Sequence, residues 1–251
     1  MNDFVGISAL DCVVIIGARG GIGNAFVDAI IQTTSSTEII ATSRDEEWCQ
    51  TTSHERVRRH RLDVTDEESI SSLAEYLQSQ TLSPKLILNC TGILHRHDAR
   101  PERTWREFDL DWMRAVFDVN ALGTGLLIKH LIPLMPRSGR AIFVTLSARV
   151  GSIADNRLGG WYSYRASKAA QNMIMKTASI EARYRRPELI LASLHPGTVD
   201  TDLSAPFTAR VQPEKLFTPT YSCDRLREVM RSLTPADSGE FFAWDGSTIQ
   251  W

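Results

Sequence analysis

The run Cys12-Val13-Val14-Ile15-Ile16-Gly17-Ala18-Arg19-Gly20-Gly21-Ile22-Gly23 decides the fold. Its first five residues are apolar and mostly β-branched, which suits a strand buried on both faces. Glycines follow at once, and the pattern then turns helical as far as Thr33. A strand that ends in a glycine turn and opens a helix brings backbone N–H groups to the helix N-terminus, a favoured seat for a pyrophosphate. The spacing is Gly-x-x-x-Gly-x-Gly, not the commoner Gly-x-Gly-x-x-Gly. Gly17, Arg19, Gly20, Gly21, Ile22 and Gly23 are therefore read as a dinucleotide-binding turn.

Outward from this turn, short apolar runs alternate with longer helical patterns. Strands are expected at 38–42, 57–62, 86–89, 141–146, 189–194 and 241–243. Helices are expected at 66–78, 110–134, 162–184 and 223–233, the first opened by a capping box of Thr65 and Glu68. The stretch 95–106 reads as a loop with a short helix. The proline-interrupted stretch 203–220 reads as a functional loop of the lid kind. This alternation predicts an α/β chain: one Rossmann domain over 1–251, with a doubly wound parallel sheet of about seven strands and helices on both faces. A length of 251 residues with 43% hydrophobic content can fill one such core.

Composition narrows the function. Lys plus Arg number 28 against 30 Asp plus Glu, a net charge of -2, which argues against a nucleic-acid partner. Arg56, Arg58, Arg59 and Arg61 cluster either as a solvated strand edge or as a cofactor-phosphate contact. The cysteines at 12, 49, 90 and 223 form no Cys-x-x-Cys, so neither zinc nor a disulfide framework is expected. Cys12 and Cys90 read as small core residues, and the chain reads as reduced and cytoplasmic. No run approaches about 18 apolar residues, so no membrane span is expected. Met1 to Leu10 carries Asp3 and no basic segment, unlike a signal peptide. His95 and His97 lack a third ligand at suitable spacing, so no metal is expected.

The chemistry lies in Tyr164-Arg165-Ala166-Ser167-Lys168. On a helix, positions i and i+4 share a face. An ammonium beside a phenol favours the phenolate and is expected to lower the tyrosine pKa, suiting it to proton exchange with an alcohol or carbonyl oxygen. The end of the second strand, Ala41-Thr42-Ser43-Arg44, discriminates between cofactors. Position 43 holds no acid for ribose hydroxyls, and Arg44 can grip a 2′-phosphate in a forked contact, aided by Arg19. NADP(H) is the expected cofactor, with NAD(H) as the alternative. His195 reads as structural or as lining the pocket. Trp161, Trp244 and Trp251 read as core or interface residues.

Over nearly its whole length the chain resembles the short-chain dehydrogenase/reductase family. Gly17, Gly21 and Gly23 match the family's cofactor turn, Asp63-Val64 its adenine-side pair, and Asn89-Cys90-Thr91-Gly92 its Asn-Asn-Ala-Gly motif with two substitutions. Asn120, Tyr164 and Lys168 match its tetrad, and Pro196-Gly197-Thr198-Val199-Asp200-Thr201 its nicotinamide turn. The stretches 151–164, 194–197 and 244–251 are similar to the branch holding sniffer-type carbonyl reductases and bacterial C-factor proteins.

The resemblance implies hydride transfer from the nicotinamide to a small carbonyl compound, or the reverse from an alcohol. Tyr164 would act as general acid and Lys168 would bind the ribose. Asn120 would steady a water, and Thr201 with Val199 would hold the carboxamide. The family's catalytic serine falls on Ala148 when aligned from Gly151 and on Ser147 when aligned from Gly139; Ser147, the only hydroxyl there, takes the role, with Ser152 as substitute. The resemblance also implies a homo-oligomer, dimer or tetramer, paired through the helices starting near 110 and 162. The competing reading is a catalytically silent dinucleotide-binding signalling protein, which Ala148 supports. A sugar-nucleotide epimerase is disfavoured by the short chain.

Overall fold

The computed structural model describes residues 4–7, 9–51, 54–96, 99–209 and 211–251. β1 (Cys12–Ile16) is buried along its whole length. Val13 and Ile15 enter the core on one side of the sheet, while Cys12, Val14 and Ile16 enter the core on the other. An apolar run without polar alternation requires such two-sided cover.

The chain continues through α1 (Gly21–Thr33), β2 (Glu38–Ser43), α2 (Glu46–Gln50), β3 (Val57–Arg61), α3 (Glu67–Ser79) and β4 (Leu86–Asn89). Then come α4 (Leu110–Phe117), α5 (Gly123–Leu131), β5 (Ala141–Leu146), α6 (Tyr162–Arg185), β6 (Leu189–His195) and β7 (Thr198–Val199). β8 (Leu216–Phe217), α7 (Pro219–Ser232) and β9 (Phe241–Ala243) complete it. The main sheet has 7 strands in the order β3-β2-β1-β4-β5-β6-β9, and every pair is parallel. Phe26 and Ile30 of α1 with Leu226 and Met230 of α7 cover one face. Ile70 and Leu73 of α3, Leu127 and Leu131 of α5, and Met175 of α6 cover the other. This is the doubly wound, single-domain Rossmann arrangement. The strand order reverses between β1 and β4, and a crevice opens beyond the C-terminal ends of strands at such a point.

Several elements differ from expectation for local reasons. The stretch expected as one helix is α4, a π-helical turn at Asp118–Leu122, α5 and a final 3-10 turn at Ile132–Leu134. By length and composition Leu110–Leu134 could cross a membrane; here Leu127 and Leu131 lie in the core beneath the sheet. The cap of α3 is Asp66, not Thr65. Asp66 accepts the Glu68 N–H at 3.1 Å, while Thr65 donates its own N–H and hydroxyl to Asp63 at 2.9 and 2.7 Å. A carboxylate on each side outcompetes the threonine for the capping geometry. α7 begins at Pro219, earlier than expected, because Thr218 accepts the Tyr221 N–H at 3.1 Å and proline suits the first helical turn. Within 203–220, β8 pairs with β7, so this stretch is partly ordered by a second small sheet. α2, with 5 residues, is too short to carry a helical period, and Asp45 caps it by accepting the Trp48 N–H at 2.9 Å.

The arginine cluster seals the edge strand. Arg56 donates to Ile31 O at 2.7 Å, Arg58 pairs with Glu38 at 3.6 Å, and Arg59 stacks over Trp48 at 4.0 Å. Such charged cover protects an edge from pairing with another chain.

Candidate active site

A cleft of about 560 Å³ lies above the β1/β4 switch point. Gly20 to Gly23 form one side of it. Gly17 turns the chain at φ 79°, and a Cβ on Gly23 would sit 2.4 Å from Gly17 O, so α1 can approach the turn only with glycine at 23. The N-cap of α1 is Gly20, which offers no side-chain acceptor, and the first turn holds no acid. The opening N–H groups are thus left for an anion in the cleft. This bare helix start is what a dinucleotide pyrophosphate fits.

The turn is tied to the end of β2 by Ala18 N–H donating to Thr42 O at 2.8 Å. Ser43 is buried, with its Oγ accepting the Asp45 N–H at 3.1 Å, and Arg44 stands exposed beside it. Arg19 is held at this edge by an ion pair with Asp45, Nε to Oδ2 3.1 Å. Asp45 escaped the sequence reading, and only the tertiary approach of the turn to the strand end shows its role.

The predicted residues divide plainly. Thr91, Gly92, Ser147, Tyr164, Lys168, Pro196, Gly197, Val199 and Thr201 line the cleft with Gly20, Gly21, Ile22 and Gly23. Gly17, Arg19, Ser43, Arg44, Asp63, Val64, Asn89 and Asn120 do not line it. Asn89 is a brace: its Oδ1 accepts Thr91 N–H at 3.1 Å and its Nδ2 donates to Thr124 and Thr145 at 3.1 and 3.2 Å. Val64 packs against Gly123, where a Cβ would come within 2.9 Å. Asp63 holds Thr65; burial works to raise its carboxyl, but the two Thr65 hydrogen bonds with nearby Arg44 and Arg61 together keep it below the usual range. Cys90, expected in the core, borders the cleft, and burial pushes its thiol up.

Asn120 is fully buried within the π turn. The extra residue of that turn aims its carboxamide sideways, so that Oδ1 accepts Ile93 N–H at 2.8 Å and Nδ2 donates to Ile93 O at 2.9 Å and Ser167 Oγ at 3.1 Å. It clamps the strand-end loop after β4 to α6.

Tyr164 and Lys168 occupy one face of α6, both buried. The Lys168 ammonium donates to Leu146 O at 2.8 Å and Gln171 Oε1 at 3.1 Å and lies 5.8 Å from the centre of the Tyr164 ring. Burial pushes Lys168 down to about 7. Burial also pushes Tyr164 above its ordinary value. This corrects the expectation of an acidified phenol: withdrawal from water disfavours the phenolate and sets the direction of the shift.

Ser147 is buried, and its hydroxyl donates to Asn172 Oδ1 at 2.8 Å. Ala148 lies beside it in the cleft wall. Ser152 lies outside the cleft, its Oγ accepting Asp155 N–H at 3.1 Å. His195 ends β6 and lines the cleft; burial pushes it down to about 4, so its ring is neutral at neutral pH, with Nδ1 unpartnered. Trp161, expected in the core or an interface, also lines the cleft, as does Phe207. Trp244 packs edge-on to Phe217 at 4.8 Å, and Trp251 stacks on Phe241 at 5.8 Å. His95 donates to Asp202 O at 3.1 Å, and His97 lies outside the described residues. Among the described residues no three metal-ligating side chains converge.

Comparison with known proteins agrees with this geometry. The short chain dehydrogenase family matches residues 11–212. A 1-hydroxy-2-glutathionyl-2-methyl-3-butene dehydrogenase of Rhodococcus sp. (strain AD45) is 32% identical over 190 residues, 76% of this chain and 78% of that protein. The C-signal protein of Myxococcus xanthus is 33% identical over 146 residues, 57% of this chain and 82% of its own. The structure of an NADPH-bound carbonyl reductase from chicken fatty liver superposes with a TM-score of 0.85 at 27% identity, covering 98% of this chain and 96% of that one. With its switch-point cleft, its bare helix start and its buried tyrosine–lysine pair, the chain belongs to the short-chain dehydrogenase/reductase family of oxidoreductases, in the branch that includes carbonyl reductases and C-signal.

Proposed function

We propose that this protein reduces a small ketone, aldehyde or dicarbonyl to an alcohol with NADPH, with Tyr164 as general acid. The observation that carries this reading is the shared cleft: Tyr164 and Lys168 line the same cavity as the uncapped start of α1. NADPH, when bound, supplies the hydride to the carbonyl carbon. Gly20 to Gly23 would hold its pyrophosphate, and Arg44 with Arg19 its 2′-phosphate. Asp63 and Val64 would border the adenine, and Lys168 would reach the nicotinamide ribose. Thr201 and the Val199 backbone would take the carboxamide. NADH remains the lesser cofactor because Ser43 offers no carboxylate to ribose hydroxyls.

Tyr164 is protonated at neutral pH, as a proton donor in reduction must be, and releases its proton as negative charge grows on the substrate oxygen. The Lys168 ammonium then lies close to the phenolate left behind and stabilises it in a poorly solvated site. Asn120 holds the loop after β4 against α6 and would position the water that returns a proton past Lys168. Ser147 can donate to the substrate oxygen once the Asn172 amide is turned over, so that Nδ2 donates to Ser147 Oγ and frees the hydroxyl proton. Asn172 Nδ2 has no partner as placed, which favours that exchange.

A second reading draws on Ala148 and the C-signal likeness: a dinucleotide-binding signalling protein with little turnover. Loss of NADPH absorbance with a panel of ketones, aldehydes and dicarbonyls supports the reductase. NADPH binding without turnover of any carbonyl class moves the assignment to signalling. A homodimer, with a tetramer as the larger alternative, belongs to the same proposal. Leu122, Met173, Ile180 and Tyr184 are exposed on the long helices and give an apolar face for pairing. Light scattering at a protomer mass of 28.1 kDa would exclude it. A cytoplasmic setting is proposed with it, supported by four unpaired cysteines.

A further inference from the structure

Trp161 stands at φ 54° and ψ 43°, the left-handed region that bulky side chains avoid. The two preceding residues, Gly159 and Gly160, are also left-handed, both at φ 65°. An outlier of this kind persists only where its surroundings over-determine it. Here they do so through Glu102, which is 2% exposed. The Glu102 carbonyl accepts the Trp161 N–H, and its carboxylate accepts the Ser163 N–H at 3.3 and 3.2 Å as well as the Ser163 hydroxyl. Arg165 Nε donates to Gly160 O at 2.9 Å from the other side. α6 has no capping side chain of its own, and this distant buried carboxylate supplies the cap.

The consequence is a fixed ring. Trp161 meets Tyr164 edge-to-face at 6.2 Å and Phe207 at 5.1 Å. Phe207 meets His95 at 5.7 Å, and His95 binds Asp202 O. The rings thus run in a row from His95 in the segment after β4, through Phe207 in the loop after β7 and Trp161, to the phenol of α6. Leu94, Val150, Leu203 and Val211 line the same cleft.

We propose that Glu102 and Trp161 form a specificity device: the buried carboxylate holds the indole as a standing wall beside Tyr164, and that wall selects carbonyl compounds whose C=O is carried on a flat, uncharged ring. The proposal rests on the carbonyl-reductase reading. A rigid aromatic wall is already ordered before binding, so a planar guest gains stacking or edge contact without freezing the host. A flexible aliphatic ketone of equal size must freeze its own rotors there and covers less of the ring. A charged substituent would lose hydration against the indole and these aliphatic side chains, and Arg149, which also lines the cleft, is already paired with Asp155 at 3.7 Å.

The test compares acetophenone, 2-octanone and 4-acetylbenzoate. It measures kcat/KM for NADPH oxidation and, separately, the calorimetric Kd of each ketone with protein saturated in NADP+. Acetophenone is expected to lead both others by about tenfold, the upper range of an aromatic contact. Trp161→Gly, which the backbone conformation permits, is expected to bring acetophenone within about twofold of 2-octanone, chiefly through KM. Trp161→Phe is expected to restore part of the difference, and Glu102→Gln to lower it. NADPH affinity serves as the check that each variant is folded. A wild-type protein with no preference for acetophenone, or a preference that survives Trp161→Gly, overturns the proposal; a preference that survives Glu102→Gln removes Glu102 from the device. Ring-selective binding lost in Trp161→Gly, with no turnover of any ketone, keeps the wall and overturns the reductase reading instead.

Discussion

The two walls of the cleft are made of different material. The wall from β1 and α1 is backbone: a glycine turn, bare N–H groups and a close approach that leaves no room for a side chain at Gly23. The rest of the lining includes large side chains: Trp161, Phe207 and the strand-end residue His195, brought together from the start of α6, the loop after β7 and β6. The first recognises a feature common to all dinucleotides and tolerates little change. The second recognises whatever guest the loops admit, and it rests on contacts between segments far apart in the chain. Tyr164 and Lys168 stand where the walls meet.

The sharpest way to break this division is at the junction. Tyr164→Phe removes the proposed proton donor and should lower carbonyl reduction by about 10²–10⁴-fold. NADPH affinity, read by fluorescence titration, should stay within about twofold, because the backbone wall is untouched. Substantial residual turnover would take the acid role away from Tyr164. Arg44→Asp acts beside the glycine turn, at the exposed side chain proposed to hold the 2′-phosphate. Loss of a charge-assisted contact of about 1.5–3 kcal/mol should move the NADPH-to-NADH preference by about 10–100-fold toward NADH. An unchanged NADPH Kd would mean that the 2′-phosphate is held elsewhere.

Gly23→Ala tests how unyielding that wall is. Its Cβ would lie 2.4 Å from Gly17 O and 2.9 Å from Ala18 Cα, both backbone atoms. A loss of about 1–3 kcal/mol is expected, seen as a lower urea midpoint at constant slope. A wild-type midpoint would show that the turn can open. The smallest effect is the pH profile. Lys168 is buried and pushed down to about 7, so it is charged below that pH and neutral above it. The phenolate formed at Tyr164 then loses its neighbouring charge as pH rises. Reduction kcat/KM should be level below about pH 7 and fall above it, by at most about tenfold per unit. A level profile from neutral to alkaline pH would remove the lysine proton from the mechanism.

Local patterns carried most of what could be read in advance. β1, the turn and α1 emerge as read because burial on both faces and glycine sterics are properties of the segment itself. Tyr164 and Lys168 share a face because helical spacing alone puts them there. The π turn at Asn120 was invisible, since nothing in Asp118–Leu122 breaks a helical pattern; the demand comes from Ile93 and Ser167. The cap of α3 falls on Asp66 through a competition between Thr65 and its neighbouring acids that residue type alone leaves open. Ser147 and Ala148 could not be separated by counting, and the hydroxyl of Ser147 proved to be committed to Asn172 on α6.

The amino-acid order by itself determined the alternation of strand and helix, the glycine turn and the Tyr–Lys pairing, because each depends on period, chirality and sterics within a few residues. The folded chain alone decided the direction in which Tyr164 and Lys168 are shifted, the neutral state of His195 and the left-handed stance of Trp161. Those depend on how much water is excluded and which groups arrive as partners, and both are set by segments that meet only after the sheet has closed beneath them.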